Sequence, residues 1–374
     1  MKMGTKATDI GSQKPRTIRP VAVGTGLVAL DLVLSEVSGA PPRHWAGGTC
    51  GNVLAALAYL GWRAVPIARL QPGVAAKRIC EDLTSWGVSD RFLDIGEDGS
   101  TPVIVERIAA SPTGGPRHSF SWRCPSCGTP FPPYKPILVS VAETISPKLT
   151  SPRIFLFDRV SPGALYLARA CAERGALVFF EPSSVSNALL FRQAWEIAHV
   201  VKYSHERLRE LPEVGVDDGP RLLVETLGEA GLRFCNRITN RRSTVWEESP
   251  GFPVANLKDA AGSGDWCTAG FLSQVGGEGL AALLRMTPDQ LRKALRFGQA
   301  LAAWNCGFEG PRGGMYGVTR REFERQLAAI LGSDESPTLP ARRAPRPPLK
   351  VCPELCPACG QDEGAGQIAS GPGG

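Results

Sequence analysis

Between residues 153 and 228 the chain alternates almost without interruption: "IFLFD", a helical stretch over 162–174, "ALVFFE", a second over 186–198, then "VVKYS" and "RLLVETLG". These short runs are mostly apolar and show no in-out alternation, so each is expected to be buried on both faces. Apolar runs joined by helices pair in parallel, because the crossover helix brings the chain back in the same direction. The rhythm predicts an α/β fold with a central, mostly parallel sheet and helices on both faces. The preceding part fits the same plan. It reads as strand over 21–34 ("VAVGTGLVALDLVL"), helix over 48–61 closed by Gly61, strand over Val65–Leu70, helix over Val74–Trp86, and a strand pair at Arg91–Ile95 and Pro102–Ile108. Helical stretches at 288–306 and 319–331 close the folded part, which spans 19–331. Residues 1–18 are polar and 332–374 are rich in Pro and Gly, so neither is expected to carry a core.

Composition narrows the function classes. At 374 residues with 43% hydrophobic content the chain can bury a large core, and Lys+Arg minus Asp+Glu is 42 − 36 = +6. No basic stripe with interleaved aromatics points to nucleic acid. The most apolar stretch, near 21–34, contains Asp31 and is too short for a bilayer. The N-terminus lacks the apolar region of a signal peptide, and eleven cysteines without an export signal fit reduced thiols or metal. The expected compartment is the cytoplasm, with no membrane partner.

The stretch "KDAAGSGDWCTAGFL" (258–272) carries the clearest chemistry. Gly262, Ser263 and Gly264 precede Asp265, and an apolar run at helical spacing follows. Glycines let backbone approach a ligand closely, and free N–H groups at a helix start attract an anion. A carboxylate beside an anion site is unfavourable unless the chemistry uses it, as a general base would be used.

Three motifs in order resemble the PfkB family of ribokinase-like sugar kinases over about residues 19–331. Its carboxy-terminal signature, D-x-x-G-x-G-D-x-x-x-x-G, stands here as Asp259, Gly262, Gly264, Asp265 and Gly270. Its amino-terminal Gly-Gly-x-x-x-Asn stands as Gly47, Gly48 and Asn52, preceded by Asp31 on the first strand. "TLGEAG" (226–231) matches the strand-turn under the nucleotide. The resemblance implies a ribokinase-like fold with a small β-lid, here with a cysteine-containing insertion, the two spanning about 91–136. It implies ATP and Mg²⁺, a sugar-like substrate, and a possible homodimer through the lid. It makes Asp265 the general base, the 261–264 loop the anion hole, and Asp31, Gly47, Gly48 and Asn52 the sugar cradle. Thr226, Gly228 and Asn305 would line the nucleotide.

Departures from the family pattern bear on the substrate. The family's Asn-x-x-Glu, which organises Mg²⁺, stands as Ser204-His205-Glu206-Arg207, so Glu206 could shift into the metal role or Arg207 could replace a cation. "FFEPSS" (179–184) and "ARLQPGV" (68–74) also differ, and Arg69, Arg107 and Arg159 could border the sugar site. Within the fold a nucleoside kinase is the nearest alternative, and a catalytically quiet ligand-sensing or scaffold protein is the other.

The family gives no reading of "CPSCG" (Cys124, Cys127) and "CPACG" (Cys356, Cys359). Two CxxC knuckles make a tetrahedral Cys₄ set, the geometry of structural zinc, if the chain closes more than two hundred residues between them. Cys352 is a spare ligand. The remaining six cysteines lie in apolar segments and read as small core residues.

Overall fold

The computed structural model describes residues 19–111, 116–209, 219–332, 355, 356, 358 and 359. The N-terminal 1–18, Cys352 and most of the expected tail lie outside these.

In chain order, β1 (Val21–Thr25) is followed by a hairpin of β2 (Ala29–Ser35) and β3 (Arg43–Gly47), then α1 (Thr49–Tyr59), β4 (Arg63–Leu70), α2 (Val74–Ser85) and β5 (Phe92–Ile95). β6 (Val103–Ala110) and β7 (Pro116–Ser121) lead through a long strap to α3 (Val139–Ile145). The regular alternation then runs through β8 (Ile154–Phe157), α4 (Pro162–Glu173), β9 (Leu177–Phe180), α5 (Ala188–Ile197), β10 (Val200–Ser204) and β11 (Leu222–Thr226). β12 (Leu232–Asn236) and β13 (Glu247–Ser249) follow, then α6 (Ser263–Val275), α7 (Leu280–Leu284), α8 (Pro288–Cys306), α9 (Gly313–Gly317) and α10 (Arg320–Gly332).

Nine strands form one sheet in the order β13-β12-β11-β10-β9-β8-β1-β4-β5. All neighbours from β11 to β5 are parallel, and β12 and β13 add an antiparallel edge. The apolar runs behave as expected: along β8, Ile154 and Leu156 enter one core while Phe155 and Phe157 enter the other. Helix starts are set locally. Ser161 caps α4 by accepting from the Ala164 N–H with Pro162 just inside, and Thr287 and Gln290 form a capping box on α8. Gly270 and Gly298 let α6 and α8 cross closely, since a Cβ on Gly270 would lie 2.8 Å from the Gly298 Cα. No helix among the described residues is long and apolar enough to cross a membrane.

The second sheet, β3-β2-β6-β7, is the lid. Its composition corrects one expectation. The strands near 91–95 and 102–108 do not pair: β5 lies parallel to β4 at the edge of the large sheet, and β6 runs parallel to β2 in the small one. The lid therefore takes β2 and β3 from before the expected insertion. Registered residues share a face. Leu30, Leu32, Val103 and Val105 enter the main core, so Asp31, Trp45, Arg43 and Glu106 face the other way.

Candidate active site

Strand order reverses at β1, which lies between β4 and β8 although the chain visits β4 first. Ligands of open α/β sheets bind beyond the carboxyl ends of strands around such a point. Here Asp158, after β8, accepts from the Leu27 N–H at 2.9 Å and seals the turn after β1. Past the ends of the next strands, β9 and β10, the first turn of α6 enters the same region.

α6 begins at Ser263, two residues earlier than a loop running up to Asp265 would have it. Gly262 is its N-cap in the left-handed region (φ 71°), and a Cβ there would lie 2.2 Å from the Pro311 carbonyl. Only glycine fits both demands. Asp265 is thus the third helical residue, and the N–H groups around Gly262, Ser263 and Gly264 stand at the open helix end. Asp259 fixes the approach, accepting from the N–H groups of Ala261 (3.0 Å) and Gly310 (2.8 Å).

One hydrogen-bonded line ties this turn to the lid. Asn52 Nδ2 donates to Asp265 Oδ2 at 2.8 Å, while Asn52 Oδ1 accepts from Arg312 Nε at 3.1 Å. Arg312 can only donate, so it fixes the amide with its NH₂ toward Asp265. Arg312 is fully buried and is itself anchored by Asp82 at 2.6 Å and by the Ala46 carbonyl. Asp31 lies beside Asn52 and Gly48, and its Oδ1 is buried without a hydrogen-bond partner among the described residues. Gly47 must lack a side chain, since a Cβ there would lie 1.9 Å from Asp31 Oδ2. The four residues expected to form the cradle are therefore brought together, next to Asp265.

Both carboxylates are poised for proton exchange near neutrality. Burial pushes Asp265 up to about 7, assisted by the negative Glu181 and opposed by the Asn52 hydrogen bond, Lys202 and Arg207. Burial likewise pushes Asp31 up to about 7, opposed by Arg312. Lys202, on β10, pairs with Glu181 at 2.5 Å, and Glu181 also accepts from Thr268 at 2.6 Å. A Cβ on Gly264 would lie 3.7 Å from Lys202 Nζ, so a buried cation stands directly behind the helix start. The motifs did not single out Lys202 or Arg312. The available signals were a lone charge inside the apolar "VVKYS" and an arginine framed by glycines in "GPRGG".

Thr226, Gly228 and Glu206 also gather. Ser204 and Thr226 are paired across β10 and β11, and a Cβ on Gly228 would lie 3.8 Å from Glu206 Oε1. Asn305 is elsewhere. It is fully buried and its amide holds two loops together, donating to Pro311 O at 3.1 Å and accepting from the Gly314 N–H at 3.3 Å. It has no face open to a nucleotide. Two of the three arginines expected to border a sugar site serve structure: Arg69 binds Asp98 and the Pro136 carbonyl, and Arg159 pairs with Asp158. The cysteines Cys124, Cys127, Cys356 and Cys359 meet away from Asp265, at the lid's strap.

No protein-family model and no curated protein sequence matches the chain. Solved structures do. A fructokinase with bound ATP from Xylella fastidiosa superposes with a TM-score of 0.63 at 18% identity, over 84% of this chain and 99% of that one. The chain has the ribokinase-like fold of PfkB kinases. A Burkholderia thailandensis nucleoside kinase in complex with inosine gives 0.59 at 16% identity, covering 83% and 98%. An aminoimidazole riboside kinase from Salmonella enterica, complexed with aminoimidazole riboside and an ATP analogue, gives 0.59 at 19%, covering 83% and 99%. Identities this low carry the ribokinase-like fold and no more.

Proposed function

We propose that the protein is an ATP-dependent phosphotransferase acting on a hydroxyl of a sugar or sugar-like small molecule. The observation that carries the reading is the continuous line Asp265–Asn52–Arg312, with the Asp31 Oδ1 beside it, buried and without a partner among the described residues. A base at a helix N-terminus and an orphan acceptor within one residue's reach suit a hydroxylated substrate held beside a phosphate.

In this reading Asp31 accepts hydroxyl hydrogens of the substrate, and Gly47 and Gly48 let it lie against backbone. Asp265 takes the proton of the attacking hydroxyl. That oxygen bonds to the γ-phosphorus of ATP while the bond from phosphorus to the ADP oxygen breaks, and ADP leaves. The N–H groups at Gly262–Gly264, backed by Lys202, hold the phosphoryl oxygens as charge redistributes. Thr226 and Gly228 border the nucleotide.

The donor set fits ATP, because backbone N–H groups and a buried lysine are phosphate ligands. Mg²⁺ fits less closely. Both Glu181 oxygens are already engaged, and Arg207 stands where a carboxylate would organise the ion, leaving Glu206 as the carboxylate in reach. Bound with ATP, Mg²⁺ would neutralise phosphate charge.

The test is ADP release by the purified protein with Mg-ATP and a panel of sugars, sugar acids and nucleosides. Release with at least one acceptor, absent in Asp265→Asn, is expected. Nucleosides alone as acceptors would select the nucleoside-kinase reading, and no release with any acceptor would overturn the enzyme reading in favour of a binding protein.

A further inference from the structure

The strap that joins β7 to α3 begins with a tight knuckle. The Cys124 N–H donates to Thr129 O at 2.8 Å, the Gly128 N–H donates to Cys124 O at 2.9 Å, and the Phe131 N–H closes back on Trp122 O at 2.9 Å. Gly128 holds the positive φ (76°) that the turn requires. This geometry turns Cys124 and Cys127 to the same side. Cys356 and Cys359 sit opposite them, more than two hundred residues away in sequence. Leu355 and Cys356 are buried and join the cluster that includes Cys124 and Phe131.

The four sulfurs lie within 4.8 Å of one another. Cys124 and Cys359 are 3.8 Å apart, and Cys127 and Cys356 are 3.6 Å apart. Zn–S bonds of about 2.3 Å in a tetrahedron place sulfurs about 3.8 Å apart. Disulfide bonding would instead bring a pair to about 2.05 Å. The surroundings suit thiolates. The Thr129 N–H donates to the Cys127 sulfur and the Thr129 hydroxyl oxygen lies 3.2 Å from it, while the N–H groups of Ala358 and Cys359 donate to the Cys356 sulfur. The Arg123 guanidinium, bonded to Gly128 O, stands on the knuckle where a dianionic centre would draw it.

We propose that Cys124, Cys127, Cys356 and Cys359 bind one zinc ion that fastens the chain's last segment onto the lid's strap. Two ligands from each knuckle complete the tetrahedron, with the thiol protons released as the thiolates bind. Four thiolates leave no position for water or substrate, so the ion is structural. Soft thiolate ligands select zinc over magnesium or calcium. The inference is independent of the kinase reading, since it uses no residue of that site.

The experiment uses the full chain purified under reducing conditions without chelator. Metal analysis is expected to give about one zinc per chain, absent in Cys124→Ser and in Cys356→Ser alike, and retained in Cys352→Ser. Cobalt(II) loaded in place of zinc is expected to show the intense visible bands of a tetrahedral thiolate centre, a readout that needs no variant to fold. A specific protease site inserted after Ser336 then tests the fastening. After cleavage the fragment containing Cys356 and Cys359 should co-elute with the body, and leave it when a zinc chelator is added. Metal-free protein with all four thiols titratable would overturn the site, as would disulfide pairs by mass spectrometry. Zinc retained while the cleaved fragment elutes separately would overturn the fastening of one knuckle to the other.

Discussion

The two ends of the proposed site are built in different ways. The end proposed to hold phosphate comes from one contiguous stretch: Gly262, Ser263, Gly264 and Asp265 belong to a single helix start, with Lys202 behind it. The lid end is assembled from segments far apart in sequence. Asp31 comes from β2, Arg312 from the turn before α9, Asp82 from α2, and Glu106 from β6. Glu106 is nearly inaccessible, and burial together with Asp259 and Asp31 keeps it protonated well above the carboxylate range, so it can donate to Asp259. A contiguous helix end is fixed by local rules of glycine and dipole. A surface gathered from distant strands changes whenever any one contributor changes, so in the proposed kinase substrate choice could drift while phosphate handling stays the same.

Breaking the phosphate end should have the largest effect. Asp265→Asn is expected to lower kcat by about 10²–10⁴-fold, the usual loss of a general base, with ATP affinity within a few-fold of the parent. The same variant should be more stable than the parent at neutral pH. The folded carboxyl titrates near 7 while the unfolded one titrates near 4, so the parent loses stability as pH rises between those values and none beyond them. Thermal melts at pH 4 and pH 8 check the sign: the gain of Asp265→Asn should appear at pH 8 and shrink at pH 4. Retained turnover would remove Asp265 from the chemistry. Gly264→Val should follow closely. Its added Cβ has room beside Lys202, so the variant is expected to fold, yet the branched side chain would stand in the path of the phosphate.

At the lid end the readout should be affinity. Asp31→Asn is expected to raise the acceptor's KM by about 10–100-fold, the cost of a hydrogen bond to a charged group, while ATP binding stays near that of the parent. Equal damage to both ligands would merge the two ends into one site and end the comparison.

Much of this division could be read in the residues themselves. The apolar runs at 154–157, 177–180 and 200–204 dictated a two-faced parallel sheet, and "GSGD" pointed to a helix start with an acid. Asp31, Gly47, Gly48 and Asn52 converge because β2, β3 and the start of α1 are adjacent in the chain. The sequence places Asn305 at the nucleotide because a buried amide binding carbonyls has the same one-letter signature as one binding a ligand. β5 and β6 were misread as partners because local pattern cannot say which sheet a strand joins. Arg312 was invisible for a related reason: its partners Asn52 and Asp82 are more than two hundred residues away.

Removing the zinc proposed above should have a smaller effect than either mutation. The strap beyond the knuckle is tied to the body through Ser100 on the Pro133 carbonyl, Arg69 on the Pro136 carbonyl and Lys135 on the Asp98 carbonyl. Tyr134 packs near Leu27, Ala29 and Ile104, the lid's own small cluster. Cys356→Ser is therefore expected to raise the acceptor's KM only on the order of a few-fold and to leave kcat unchanged. A fall in kcat as large as that of Asp265→Asn would show that the strap reaches the phosphate end.

The finest test concerns Arg207, the exposed arginine whose charge reaches Asp265 from the turn after β10. Asp265 must be ionised to accept a proton, so kcat/KM should rise with pH and level off above an apparent pKa near 7, the value of the free enzyme. Arg207 favours the ionised form, and Arg207→Gln should move that rise to higher pH. Because the side chain is in water, its field is screened, and the displacement is expected to be less than about one pH unit and to shrink in high salt. Asp31 titrates in the same range, so the kcat profile at saturating acceptor is measured beside it, where loss of affinity no longer contributes. A salt-sensitive displacement in Arg207→Gln, absent in Arg159→Gln, would place the cation's action on Asp265 itself. An unmoved profile would mean that Arg207 does not stand in for a metal cation beside Asp265, and that the proposed phosphate end relies on Lys202 and the helix start alone.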